Sequence, residues 1–475
     1  MQILNLPAEL LLDIIQSVPS VRDKCQLLQT CTAMRNFFST HVRCWSRLDL
    51  SSYATLSNSI LLRFLKENRI NLITSTGTAV HGISELDLSG CWCLSQEMVM
   101  ALTKSFSSLD GLFLNGYRLK GSNKLAFEHQ RDHVYQVRPS HDLSSMAMDL
   151  SKKSTNRLKV PSFLISSILA QVPSITALSM QYQDISPSSF TEFNNLQYLD
   201  ISSCAVSAAS LQSLLRKNRL VSLKMLNIEL TDMTWLCIAQ FCKKLKCLHV
   251  SCHDVGRHFP CIRQALSNLK ELQDFRMTRV AAGRMDGVIT ELMDGIRRLD
   301  VSPKMNIYPK GGGNGGKHPV KRSISSYATT EHDLLATDVS LHHLSKCHHL
   351  VELRLCFPTI SSDGLHALFR SIPQLEVFEL RQHKEEGGGR DYLKGLGNLI
   401  NLNRIYLYSV SISSDAMDTF PWLPRLRHLT TTHGGQWVNE QRLMKECRRL
   451  ESLEIGSTAN TISFLKRDHH WLTIK

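Results

Sequence analysis

A phrase of the form apolar-x-x-apolar-x-apolar recurs along the chain. It reads WSRLDL at 45–50, ISELDL at 83–88, LDGLFL at 109–114, ITALSM at 175–180 and LQYLDI at 196–201. It continues as LKMLNI at 223–228, LKCLHV at 245–250, LQDFRM at 272–277 and IRRLDV at 296–301, then LVELRL, LEVFEL, LNRIYL, LRHLTT and LESLEI between 350 and 455. The second and third apolar positions are two residues apart, so they point to the same side of a short strand. Helical spacing follows several phrases, with Leu211, Leu214 and Leu215 on one side of 207–218, and Leu365, Leu368 and Phe369 on one side of 361–372.

Most successive phrases lie 21–27 residues apart, while three steps are longer, at 38, 66 and 54 residues. That spacing matches the leucine-rich-repeat period of about 20–29 residues. One strand–helix unit cannot bury its own apolar side, but a stack of units can. The expected fold is therefore an α/β leucine-rich-repeat solenoid. It should be a horseshoe with parallel strands on the concave face and helices on the convex face, running over 46–475. The longer steps predict a lengthened first unit and insertions at about 117–172 and 302–340.

Residues 1–45 have a different pattern. Pro7 and Glu9 sit where a helix would start, and Leu10, Leu11, Ile14 and Ile15 follow at helical spacing. A second helix is expected from about Arg22 to Thr32, with Leu27, Leu28 and Cys31 on one side. A third carries Met34, Phe37 and Phe38. About 45 residues bury little apolar surface alone, so these helices should dock on something else.

Leu6-Pro7-x-Glu9-Leu10, then Ile14, the Val18 position, Cys31 and the late Trp45 resemble an F-box. An F-box followed by leucine-rich repeats is similar to the F-box/leucine-rich-repeat family. The resemblance implies a non-catalytic substrate receptor of an SCF-type cullin–RING ubiquitin ligase. By position it places Leu6, Pro7, Glu9, Leu10, Ile14, Ile15, Leu27 and Leu28 against a Skp-type adaptor, and through it cullin and RING subunits. The alternative is a scaffold of the same architecture acting outside a ligase.

The residue between the second and third apolar positions of each phrase should face the concave side, with its neighbours two away. Read this way, the N-terminal wall is acidic and small. The C-terminal wall gathers Arg276, Arg354, Arg381, Arg404, Tyr406 and Tyr408, residue types that dominate interface hot spots. This cluster is the expected protein-substrate surface, and its guanidiniums suit an acidic or phosphorylated partner.

The net charge of +13 permits such partners, but the basic residues are dispersed rather than gathered, which argues against a nucleic-acid surface. Fourteen cysteines are too sparse for a disulfide scaffold. Cys91, Cys204, Cys252 and Cys356 follow or end their strand phrases, which assigns them to the repeat core. CWC at 91–93 and the Cys242, Cys247, Cys252 series lack CxxC pairs, and HHLSKCHH at 342–349, the richest metal-like cluster, falls at the end of a helical half-repeat, where basic and imidazole groups suit the helix C-terminus, so no metal or cofactor is expected. GGGNGGKH at 311–318 spells most of a phosphate-binding loop. The Ser/Thr is missing, however, and no apolar helix follows, so the segment reads as part of the second insertion. No catalytic residue is expected. The start of the chain lacks secretory-signal features and no run of 18 apolar residues occurs, so the expected compartment is cytoplasmic, nuclear or both.

Overall fold

Strand phrases become strands because the two apolar residues on one side of each have somewhere to go. In the computed structural model, Leu48, Leu86, Leu112 and Leu178 are all buried and occupy one register row. The structure describes most of residues 6–475. The longer stretches outside it are 1–5, 71–82, 116–166, 182–192, 281–284, 304–336, 382–391, 433–439 and 457–460. The Gly311–Lys317 loop and nearly all of both expected insertions lie outside the described residues.

The chain divides into two compact units, Met1–Leu220 and Val221–Lys475. The first holds three helices, α1 (Ala8–Ser17), α2 (Val21–Thr30) and α3 (Thr32–Thr40), and a short 3-10 turn at Val42–Trp45. Five three-residue strands follow: β1 (Arg47–Asp49), β2 (Glu85–Asp87), β3 (Gly111–Phe113), β4 (Ala177–Ser179) and β5 (Tyr198–Asp200). They pair in sequence order, every neighbour parallel. The helices α4 (Asn58–Glu67) and α5 (Gln96–Ser105) and the helix Ala208–Lys217 lie between or after them.

The second unit holds β6 (Ser222–Met225), β7 (Cys247–Ser251), β8 (Asp274–Val280), β9 (Arg298–Pro303) and β10 (Glu352–Cys356). It continues with β11 (Val377–Arg381), β12 (Arg404–Tyr408), β13 (His428–Thr432) and β14 (Ser452–Gly456). These too are parallel and in order, with helices such as Asp232–Phe241 and Ser362–Ser371 between them. Each unit is thus a stack of strand–helix repeats, the leucine-rich-repeat architecture that the phrase spacing predicts.

Helix starts repeat as faithfully as strands. Ser57, Ser95, Ser207, Thr231 and Ser361 each cap a helix by accepting from the backbone N–H three residues on. Each cap satisfies one orphan donor and is worth about 1 kcal/mol. Leu211, Leu214 and Leu215, and Leu365, Leu368 and Phe369, are buried as their spacing requires.

One register differs from expectation. The expected phrase at 223–228 puts Leu226 in the row of buried markers, but Leu223 pairs with Leu248 and Lys224 with His249. The sequence offers two overlapping readings, Leu220-Leu223-Met225 and Leu223-Leu226-Ile228. The stack selects the first, whose three residues are all fully buried, while Leu226 is only half-buried. The outward positions there are Ser222 and Lys224, not Met225, Asn227 and Glu229.

The end of the second unit was not legible as a strand phrase. β15 (Thr461–Arg467) pairs antiparallel with β14, and β16 (His470–Ile474) antiparallel with β15. This hairpin covers the edge that a parallel stack leaves open, which terminal units of repeat proteins must do.

Cys91, Cys204 and Cys252 are buried, as assigned, while the side chain of Cys356 lies outside the described residues. Cys91 Sγ donates to the Leu50 carbonyl at 3.1 Å and Cys204 Sγ to the Met180 carbonyl at 2.6 Å, each reaching the end of the preceding strand phrase. Burial pushes the Cys91 and Cys242 thiols up to about 12. The cysteines among the described residues are free thiols.

Candidate functional site

Two surfaces carry the residues singled out by sequence. The first is the N-terminal helical module. Trp45, fully buried, anchors it to the repeats: its ring packs 5.4 Å from Phe38 of α3 and edge-on, at 5.3 Å, against Phe64 of α4. Its Nε1 has no hydrogen-bond partner, a cost of about 1–3 kcal/mol. Burying about 200 Å² of aromatic surface contributes about 5 kcal/mol, so packing wins.

Helix α1 carries two apolar stripes. Leu11 and Ile15, four apart, turn inward, and Ile15 is 1% exposed. Leu10 and Ile14, also four apart, turn outward at 52% and 40% exposure. Pro7 and Glu9 are exposed with them, and Leu6 is half-buried. Ile15, expected on the adaptor face, has its side chain in the module's core.

Helix α2 also differs from expectation. Its buried residues are Val21 and Lys24, while Leu27, Leu28 and Cys31 are only half-buried. Lys24 Nζ donates to the Cys44 carbonyl at 2.9 Å next to Trp45. Burial, partly offset by the neighbouring Cys44, lowers its pKa. Sequence reasoning missed Lys24 because a lysine at helical spacing reads as a surface residue.

The second surface is the outward side of β7–β14. His249, Arg276, Asp300, Arg354, Glu379, Tyr406, Thr430 and Glu454 are successive register partners in one row. Neighbouring strands lie about 4.8 Å apart, so opposite charges in a row can pair. They do. Arg354 Nε donates to Glu352 Oε1 at 2.6 Å and Nη1 to Glu379 Oε2 at 3.2 Å. Arg381 Nε donates to the other oxygen of Glu379. Arg276 Nε lies 2.9 Å from Asp300 Oδ2, at an angle too bent for a hydrogen bond, so that contact is an ion pair only.

Glu379 is the hub of this row, 4% exposed between two guanidiniums. Burial opposes the charge on Arg354, but the Glu352, Glu379 and Asp300 carboxylates outweigh it and raise its pKa further. Two tyrosines complete the wall. The Arg354 guanidinium lies 5.9 Å from the centre of the Tyr406 ring, and that of Arg381 4.2 Å from Tyr408. Burial raises the Tyr406 phenol, against the opposing pull of Arg404 and Arg354, so it stays neutral.

The structure thus brings Arg354, Arg381, Arg404, Tyr406 and Tyr408 together on β10–β12, and sets Arg276 two strands from Arg354. It also changes what they offer. Arg276, Arg354 and Arg381 are charge-compensated from within. Arg404 is exposed, and no carboxylate pairs with it among the described residues. The wall is a rigid aromatic–guanidinium surface rather than a basic patch. Sequence reasoning found the arginines and missed Glu379 as their centre, although the alternation of sign across register partners was readable once the repeats were aligned.

No model of a protein family matches the chain, and no curated protein matches it. Among solved structures, an internalin from Listeria monocytogenes is 14% identical, covering 93% of this chain and 94% of its own with a TM-score of 0.39. The Rad7 and Elc1 complex in yeast is 13% identical over 91% of both chains, with a TM-score of 0.42. A complex of TLR13 with ssRNA13 is 14% identical over 80% of this chain and 45% of that one, with a TM-score of 0.33. The fold of this chain rests on its own strand register and helix order, and that architecture is a leucine-rich-repeat solenoid.

Proposed function

We propose that the chain is a non-catalytic recognition subunit of an SCF-type ubiquitin ligase. Its N-terminal helices dock on a Skp-type adaptor, which brings the cullin and RING subunits, and its repeat wall holds a protein substrate. The observation that carries this reading is the division of labour on α1. One stripe, Leu11 and Ile15, is spent on the module's own core. A second, Leu10 and Ile14, is exposed although nothing in the fold requires apolar residues there. Leu10 of the stripe closes the Leu-Pro-x-Glu-Leu motif that resembles an F-box, and Pro7 and Glu9 of that motif are exposed beside it.

The wall of β10–β12 supports the substrate half of the reading. Its ion pairs hold the arginines and tyrosines in place before binding, which lowers the ordering cost of association. A partner meets neutral aromatic faces and the guanidinium of Arg404, which no carboxylate among the described residues pairs, so a mixed polar and apolar protein surface suits it better than a highly phosphorylated one.

Capture of a purified Skp-type adaptor by the full chain tests the reading. Leu10→Asp combined with Ile14→Asp should cost at least tenfold in adaptor affinity with an unchanged melting temperature. Ile15→Asp should instead unfold the module. Undiminished capture by the double variant would sink the proposal.

A further inference from the structure

Two places among the described residues bring three metal-ligating side chains together, with their ligand atoms all within 4.8 Å of one another. The first is Asp294, His343 and Cys347. It is the poorer, because His343 Nε2 already meets the Leu292 carbonyl at 2.9 Å, Asp294 is exposed, and burial pushes the Cys347 thiol up to about 11. The second is Cys247, His249 and Asp274, on the outward side of β7 and β8.

This second set is built by the sheet itself. Cys247 and His249 are two apart on β7 and so share a face, and Asp274 is the register partner of Cys247 on β8. His249 Nε2 donates to Asp274 Oδ1 at 3.0 Å. The other oxygen, Oδ2, accepts from Arg298 Nη1 at 3.3 Å. All three ligands therefore stand on rigid strands, with no loop to rearrange.

We propose that Cys247, His249 and Asp274 form a binding site for a zinc-class divalent cation. A thiolate, an imidazole and a carboxylate are a donor set that zinc accepts and that harder ions such as magnesium do not. Tetrahedral bonds of about 2.0–2.3 Å set ligand atoms about 3.3–3.7 Å apart. The His249–Asp274 separation is just below that range, and the Cys247 sulfur lies within 4.8 Å of both atoms. The thiol proton of Cys247 leaves to solvent, the proton on His249 Nε2 leaves with it or is replaced by one on Nδ1, and the metal takes the bared Nε2 that now faces Asp274.

Charge around the site is compatible with this. The thiolate and Asp274 supply two negative charges. Of the neighbouring cations, Arg276 is committed to Asp300, and Arg298 holds the far oxygen of Asp274, the outer-shell role that orients a ligating carboxylate. Lys224 is the register partner of His249 and, among the described residues, is a cation beside the site that works against it. Three protein ligands leave a fourth position for water or for a donor from a bound partner.

The test titrates cobalt(II) into the metal-free full chain and follows thiolate-to-cobalt charge-transfer absorption. One equivalent should produce the band, and zinc should displace it. Cys247→Ser, close in size and with an unchanged melt, should abolish the band, while His249→Ala and Asp274→Asn should weaken binding at least tenfold. Cys347→Ser should leave the band intact. A wild-type chain without the band overturns the proposal. So does a band that survives Cys247→Ser, or one that is lost with Cys347→Ser instead.

Discussion

The outward position of the strand phrase does different work in the two units. In the first unit it is repeatedly Asp, at Asp49, Asp87 and Asp200, and one oxygen of each turns back on its own strand, although the other oxygen of Asp200 also accepts from Gln181 Nε2 at 2.7 Å. The N–H groups of Ser51, Ser89 and Ser202 donate to Asp49, Asp87 and Asp200 at 3.0, 2.9 and 3.0 Å. The carboxylate ends a three-residue strand by closing an Asx turn. In the second unit the strands run longer, mostly to five residues or more, and the same position reaches sideways, as in Asp300 with Arg276 and Glu379 with Arg354 and Arg381. One repeat phrase thus terminates strands in one unit and organises a surface in the other. An acidic wall read from sequence is local turn chemistry in the first unit.

This contrast breaks most sharply at Glu379. Glu379→Gln leaves two guanidiniums facing an uncharged amide at a buried position, and should destabilise the chain by about 2–3 kcal/mol in denaturant unfolding. A loss below about 1 kcal/mol would show that the row is held by packing instead of charge.

Asp87 should behave in the opposite way. Burial raises its carboxyl above the ordinary range, against the hydrogen bonds from Ser89, so its charge is a cost and its acceptor oxygen is the benefit. Asp87→Ala should cost about 1 kcal/mol, while Asp87→Asn, which keeps an acceptor, should fall within about 0.5 kcal/mol of the parent. Equal losses for both would erase the distinction between turn chemistry and charge pairing. The smallest effect is expected at Arg47, which pairs with Glu85 at 3.4 Å with both side chains about half exposed. Arg47→Gln should shift stability by less than about 0.5 kcal/mol, and less still at high salt.

The same division explains what was legible. Thirteen of the fourteen strand phrases sit in the rows their spacing predicts, because inward leucines two apart are a local pattern that any stack must bury. The phrase at 223–228 slipped because two overlapping triplets satisfy the pattern equally, and only the Leu223–Leu248 pairing decides between them. On α1, spacing marked Leu10, Leu11, Ile14 and Ile15 as one apolar set, but could not say which pair Trp45 and its neighbours would cover.

By itself, then, the sequence determined the strand phrases and the helical character of the first 45 residues, since each depends on residues within about four positions of one another. The tertiary structure alone decided which arginines are compensated, that Glu379 and Lys24 are buried, and that Asp274 stands beside Cys247 and His249. Apart from Glu352 with Arg354, Glu379 with Arg381 and Cys247 with His249, each two apart on one strand, those partners lie a full repeat or a helix apart in the chain. Their meeting is set by strand register and by which surface another element happens to cover, and no local pattern of residues encodes either.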